Sequence, residues 1–138
     1  MSRQAGSERV HAGGRSATIP APLQRLPLLA PAGAIVATTD SGDDYSRLHD
    51  EPSRALRVFP GAAEGASSAV LFEDDGISLA GASTRVTIKL SWTATRVRVE
   101  AAASGDYPLP YQGMRVILPA NETRAVEMSG SNGIGLRL

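Results

Sequence analysis

The cleanest pattern in the chain is an alternation between residues 85 and 101. Val86, Ile88, Leu90 and Trp92 are apolar, while Arg85, Thr87, Lys89 and Ser91 are polar. A period of two puts the first set on one face of a strand. After Thr93-Ala94-Thr95 the pattern resumes, with Val97, Val99 and Ala101 against Arg96, Arg98 and Glu100. The short break predicts a hairpin. Met114, Val116 and Leu118 alternate with Arg115 and Ile117 and predict a further strand, ended by Pro119. Upstream, the apolar runs at residues 26–29 and 34–37, separated by Pro31 and Gly33, predict buried strands joined by a tight turn. Residues 56–59 predict a strand that stops at Pro60-Gly61, and residues 69–72 another.

Turn chemistry divides these runs. Glu73-Asp74-Asp75-Gly76 lies between residues 69–72 and the run 77–79. An Asp-Gly pair in that setting predicts a hairpin, because Gly accepts the positive φ of such turns. Asn132-Gly133 predicts a second one between residues 123–128 and 134–138. The polar stretch 39–54 predicts a long surface loop with at most one helical turn, and residues 62–67 and 102–112 predict further loops. No segment has the period of an amphipathic helix. Many short strands with regular turn signals imply an all-β chain folded as an antiparallel β-sandwich. Residues 1–16, rich in Ser, Gly, Arg and Ala, predict a flexible leader. A change of pattern between Leu79 and Thr84 divides the rest into modules at 17–80 and 81–138.

Composition narrows the function classes. The 138 residues carry 14 basic and 14 acidic side chains, a formal net charge of zero. That gives no basic footprint for nucleic acid and no polybasic patch for an anionic membrane. Arg85, Arg96, Arg98 and Arg115 fall on strand-like segments and predict solvated strand faces. There is no cysteine, which excludes disulfides, thiol catalysis and thiolate metal sites. Aromatic residues make up only 4%, so the core must be built from Val, Leu, Ile and Ala. No apolar run is long enough to span a membrane, and residues 1–14 lack the apolar stretch of a signal peptide. The expectation is a soluble protein whose compartment stays open, with the cytoplasm favoured.

Three motifs resemble the C-terminal region of family 31 glycoside hydrolases. Ala21-Pro22-Leu23-Gln24-Arg25-Leu26-Pro27-Leu28-Leu29, followed by Ala32-Gly33-Ala34-Ile35, is similar to that family's APLDRIPLF run leading into RAGAII. Arg57-Val58-Phe59-Pro60-Gly61 resembles its VYPG strand, and Leu71-Phe72-Glu73-Asp74-Asp75-Gly76 its LYEDDG turn. Order and spacing match, and the likeness extends over residues 13–128. In such enzymes an (α/β)-barrel carries the catalytic aspartates and is followed by a proximal and a distal β-sandwich. The resemblance implies that residues 17–80 are a partial proximal module and 81–138 the distal one. Gln24 stands where the family has Asp, Leu29-Ala30-Pro31 replaces its aromatic-Val-Arg, and residues 1–12 do not match its WYDFWTG strand. The expectation is an excised piece of a longer enzyme or a separately encoded remnant.

Candidate chemistry is sparse. Glu73, Asp74 and Asp75 form the one dense carboxylate cluster. Ca²⁺ takes six to eight oxygen ligands, and three adjacent acids on a tight turn cannot all face one ion. With Gly76 they are read as a structural turn. A glycosidase pair needs two carboxylates across a sugar cleft, which neighbours on a turn do not provide. His11 and His49 lack metal-ligand spacing, and no serine sits in a nucleophile elbow. No catalytic residue, metal site or cofactor is expected. Trp92, Tyr107 and Tyr111 are the candidate carbohydrate contacts, because an aromatic ring offers a flat apolar face with a polar handle. Trp92 continues an apolar strand face, which favours core or strand-end packing over a sugar contact. Tyr107 and Tyr111, in a Pro/Gly loop, are expected to be exposed. Asn121-Glu122-Thr123 matches a glycosylation acceptor and reads as incidental without secretory context. The leading expectation is a non-catalytic accessory module whose partner is a glycosidase barrel. The alternatives are a carbohydrate-binding β-module and a remnant that self-associates through open sheet edges.

Overall fold

The computed structural model describes residues 9–24, 26–39 and 54–138. They fall into two units divided after Ala30. The first contains no strand among its described residues. The second is an all-β sandwich of two four-stranded sheets. Its strands are β1 (Ala34–Thr39), β2 (Arg54–Phe59), β3 (Gly65–Glu73), β4 (Thr84–Trp92), β5 (Arg96–Gly105), β6 (Gly113–Ile117), β7 (Ala125–Ser131) and β8 (Gly135–Arg137). One sheet has the order β1-β2-β6-β8 and the other β3-β4-β5-β7. Among the described residues no helix is long and apolar enough to cross a membrane.

The alternating segments behave as their pattern requires. β4 and β5 pair antiparallel through Thr93-Ala94-Thr95, with Ile88 opposite Ala101 and Leu90 opposite Val99. Their inward residues, Val86, Ile88, Leu90, Val97 and Val99, are fully buried. Leu56 and Val58 on β2, with Met114 and Val116 on β6, complete the aliphatic core between the sheets. Arg85, Arg96 and Arg98 lie on the outer face and are exposed.

The longest ladders, β3–β4 and β4–β5, are antiparallel, and so is β1–β2. The ladders β2–β6, β5–β7 and β6–β8 are parallel. Beyond β5 the chain crosses from one sheet to the other at every connection. Strands two apart in sequence therefore become neighbours with the same direction. This corrects the second predicted hairpin. Asn132 and Gly133 do form a tight turn with positive φ at both residues, 56° and 86°. That turn carries the chain from β7 in one sheet to β8 in the other.

Four further expectations are corrected. Residues 26–29 form no strand, and Leu26, Leu28 and Leu29 are exposed. Pro22, Pro27 and Pro31 leave too few consecutive N–H donors there for a ladder. Residues 77–79 do not pair with β3 either. Gly76 has a φ of +66°, but the Asp75 carboxylate binds the next backbone N–H groups and the chain turns on itself, leaving Ile77 and Leu79 exposed. Nor does a boundary between residues 80 and 81 divide the fold, since β3 and β4 pair across it from Gly65↔Trp92 to Glu73↔Thr84. Within the expected loop 102–112, β5 continues to Gly105. Residues 1–8 of the expected leader and most of the loop 39–54 lie outside the described residues.

Candidate functional site

The candidate carbohydrate contacts and the acidic turn fall at the two ends of the sandwich. At one end β3 delivers Glu73 between the sheets. The β5–β6 loop, stiffened by Pro108 and Pro110, brings Tyr111 to it. The Tyr111 hydroxyl donates to Glu73 Oε1 at 3.0 Å. Arg54, the first residue of β2, lies 3.6 Å from the same oxygen through Nε, and its guanidinium stands 5.1 Å from the Tyr111 ring centroid. Burial, and then the negative charge of Glu73, raise the Tyr111 phenol above its ordinary value of 10. The phenol therefore stays protonated and serves as a donor. Tyr111 is 3% exposed, not the open platform expected of it.

Beside this trio is a cavity of about 270 Å³, lined by Tyr107, Leu109, Tyr111, Gln112 and Asn132 among others. Thr84 Oγ1 donates to the Tyr107 carbonyl at 2.8 Å, and Asn132 Nδ2 to the Ala103 carbonyl at 2.8 Å. Much of its polar lining is thus committed to holding loop ends to β4 and β5. Tyr107 is half-buried on its wall. None of its lining residues is a carboxylate or a cation.

Trp92 lies at the opposite end, packed into the core as its place on the apolar face of β4 predicts, and not as a carbohydrate platform. It is 7% exposed, and Nε1 donates to the Ala63 carbonyl at 2.5 Å. Gly33, Gly61 and Gly65 surround the indole, where even a Cβ would come within 3.1, 3.3 and 2.6 Å of it. The ring is part of the core and has no face left for a sugar.

The acidic turn is likewise structural in geometry. Asp74 Oδ1 accepts from Gly76 N at 2.9 Å. Asp75 accepts from Ser78 Oγ at 2.6 Å and from the N–H groups of Ile77 and Ser78. The Ser78 hydroxyl, and then these N–H groups, lower the Asp75 carboxyl to about 2. Glu73 points away from both, toward Tyr111. His49 lies outside the described residues, and His11 is exposed in the first unit.

One constellation escaped the sequence reading. Arg124 Nη1 donates to the carbonyls of Gly61 at 3.0 Å and Thr93 at 3.1 Å, while Nε and Nη2 donate to Glu122 at 2.8 and 2.6 Å. One guanidinium thus ties together the connections β2–β3, β4–β5 and β6–β7. The sequence there offers only the acceptor pattern Asn121-Glu122-Thr123, and nothing local signals the distant carbonyls. Hydrogen bonds from Arg124 hold the Glu122 carboxyl at about 2 against an ordinary 4.5. A carboxylate with a depressed folded pKa stabilises the fold above its unfolded pKa and loses that contribution as pH falls through the folded one. Chemical denaturation should therefore show a loss of ~1–2 kcal/mol from this pair between pH 5 and 2. Glu122→Gln should be less stable at pH 7 and fall less steeply over that window; an unchanged slope would count against the pair.

No protein-family model, curated protein or solved structure matches the chain.

Proposed function

We propose that the chain is a non-catalytic accessory β-sandwich module of an α-glycosidase-like protein of family 31. Its task is to pack against a catalytic barrel and support the barrel's loops; the parent would act on α-linked glucosides or xylosides. One observation carries this reading: the three ordered motifs fall at the first three strands, and their residues have fold-building roles. The first motif leads into β1 and supplies Gly33 against Trp92. The second closes β2 and supplies Gly61 against the same ring. The third closes β3, turns Glu73 onto Tyr111 and caps its own turn with Asp74 and Asp75. The remaining apolar residues of the first motif, Leu23, Leu26, Leu28 and Leu29, are exposed. An exposed leucine-rich segment suits contact with another domain.

The test is genetic and biochemical. Sequencing the locus around the codon for Met1 should reveal a barrel of this family, in frame or adjacent. The purified chain alone should not turn over nitrophenyl α-glucoside. A locus without a barrel, or turnover by the chain that Asp74→Asn or Asp75→Asn abolishes, would overturn the proposal.

A further inference from the structure

The sheet β3-β4-β5-β7 ends on its longest edge at β3. Nine consecutive residues of β3 pair with β4, with no bulge. Among the described residues no strand pairs its other side. An edge strand presents a row of unpaired N–H and C=O groups, and proteins blunt such edges with Pro, Lys, bulges or short length. β3 has none of these. Its single charge, Glu73, stands at the last position and is held by Tyr111. The other edges are less open: β1 has six residues and β8 three, while β7 carries Glu127, tied to Arg96 and Arg98. The outward residues of β3 are Ala66, Ser68, Val70 and Phe72, all exposed, with Val70 at 58% and Phe72 at 56%. An unblunted edge therefore coincides with two exposed apolar side chains.

We infer that two copies of this chain pair antiparallel through β3 about a twofold axis at Val70, joining two sheets into one continuous sheet. Such an isologous contact needs a self-complementary edge, and β3 provides one. Centred on Val70, residues 67–73 of the two copies pair, with Phe72 opposite Ser68, Leu71 opposite Ala69 and Glu73 opposite Ser67. No like charges meet. Val70 faces its own counterpart, and Phe72 lies diagonal to it, so four apolar side chains cluster across the axis. Centring on Ala69 would set Glu64 against Asp74 of the second copy, and centring on Leu71 would pair only residues 69–73. Both are inferior. The inference rests on the edge alone and is independent of the glycosidase reading.

The absence of cysteine from the chain makes the register testable, since Val70→Cys carries a single thiol. Directly opposed residues of an antiparallel pair have Cα atoms about 4.5–5.5 Å apart, within disulfide range. Mild oxidation should therefore convert Val70→Cys to a covalent dimer. Ala66→Cys, which faces Asp74 of the second copy, should stay reduced under the same conditions. In sedimentation velocity the wild-type chain should rise with concentration toward twice the mass of one chain. Val70→Lys should remain at the mass of one chain with an unchanged far-UV spectrum. A wild-type chain that stays at single mass to millimolar concentration would overturn the inference. So would Ala66→Cys linking as readily as Val70→Cys.

Discussion

Ile88→Asp should leave the chain unfolded at room temperature, the largest effect expected of any single substitution. Ile88 sits at the centre of β4, between Ala69 on β3 and Ala101 on β5, and has no exposed surface. Removing it forfeits about 1.5–3 kcal/mol of apolar burial. Placing a carboxylate there costs several kcal/mol more, because the surrounding core of Val86, Leu90, Val99 and Leu56 offers no cation or donor. The sum is on the order of 5 kcal/mol or more, comparable to the whole stability of a small domain, roughly 5–15 kcal/mol. The neighbouring Lys89→Ala, on the exposed face of the same strand, should change stability by about 0.5 kcal/mol or less. Circular dichroism with a thermal ramp checks both. An Ile88→Asp variant melting within a degree or two of the wild type would mean that the face assignment of β4 is wrong.

That strand was also the most legible part of the sequence, for a physical reason. Alternation records burial on one face, and β4 and β5 each have one face on the core and one in water. The hairpin between them needed only a short polar break. Partner choice beyond neighbouring strands was not legible. Nothing in residues 113–117 or 125–131 announces that β6 will lie parallel to β2, or β7 parallel to β5. Those pairings follow from the chain crossing between sheets after β5, which is a property of the whole. The Asn132-Gly133 dipeptide specified its backbone conformation correctly but could not specify which sheets it joined. Apolar runs misled where backbone donors were missing or already engaged. Leu26, Leu28 and Leu29 sit among prolines, and Ile77 gives its N–H to Asp75. Of the site residues, Trp92 was legible as core because it continued the face of Val86, Ile88 and Leu90. Tyr111 was not, because its burial depends on Glu73 and Arg54 arriving from distant strands.

The second large effect concerns the glycines that enclose Trp92. Trp92→Ala should cost ~3–5 kcal/mol, the range for emptying an aromatic site in a core. Gly65→Ala should cost ~1–3 kcal/mol by overpacking, because its Cβ would stand 2.6 Å from Trp92 Cζ2 and 3.0 Å from Cε2. The indole cannot swing away freely, since Gly33 and Gly61 close two other sides and Nε1 is bonded to the Ala63 carbonyl. Gly65 faces Trp92 across the β3–β4 ladder, so the clash also strains the end of the edge strand. The two substitutions should be strongly non-additive. Once the indole is removed, the alanine methyl fills part of the vacated space, and Gly65→Ala in the Trp92→Ala background should cost little or become stabilising. A double-mutant cycle by urea denaturation reads the coupling directly, expected at ~1–3 kcal/mol. Additive costs would show that the glycine is required for backbone reasons unrelated to the ring. Strong coupling would explain why glycine stands at position 65: with Gly61 on the β2–β3 connection that leads into it and Gly33 before β1, it forms the walls of one indole-sized site that closes this end of the sandwich.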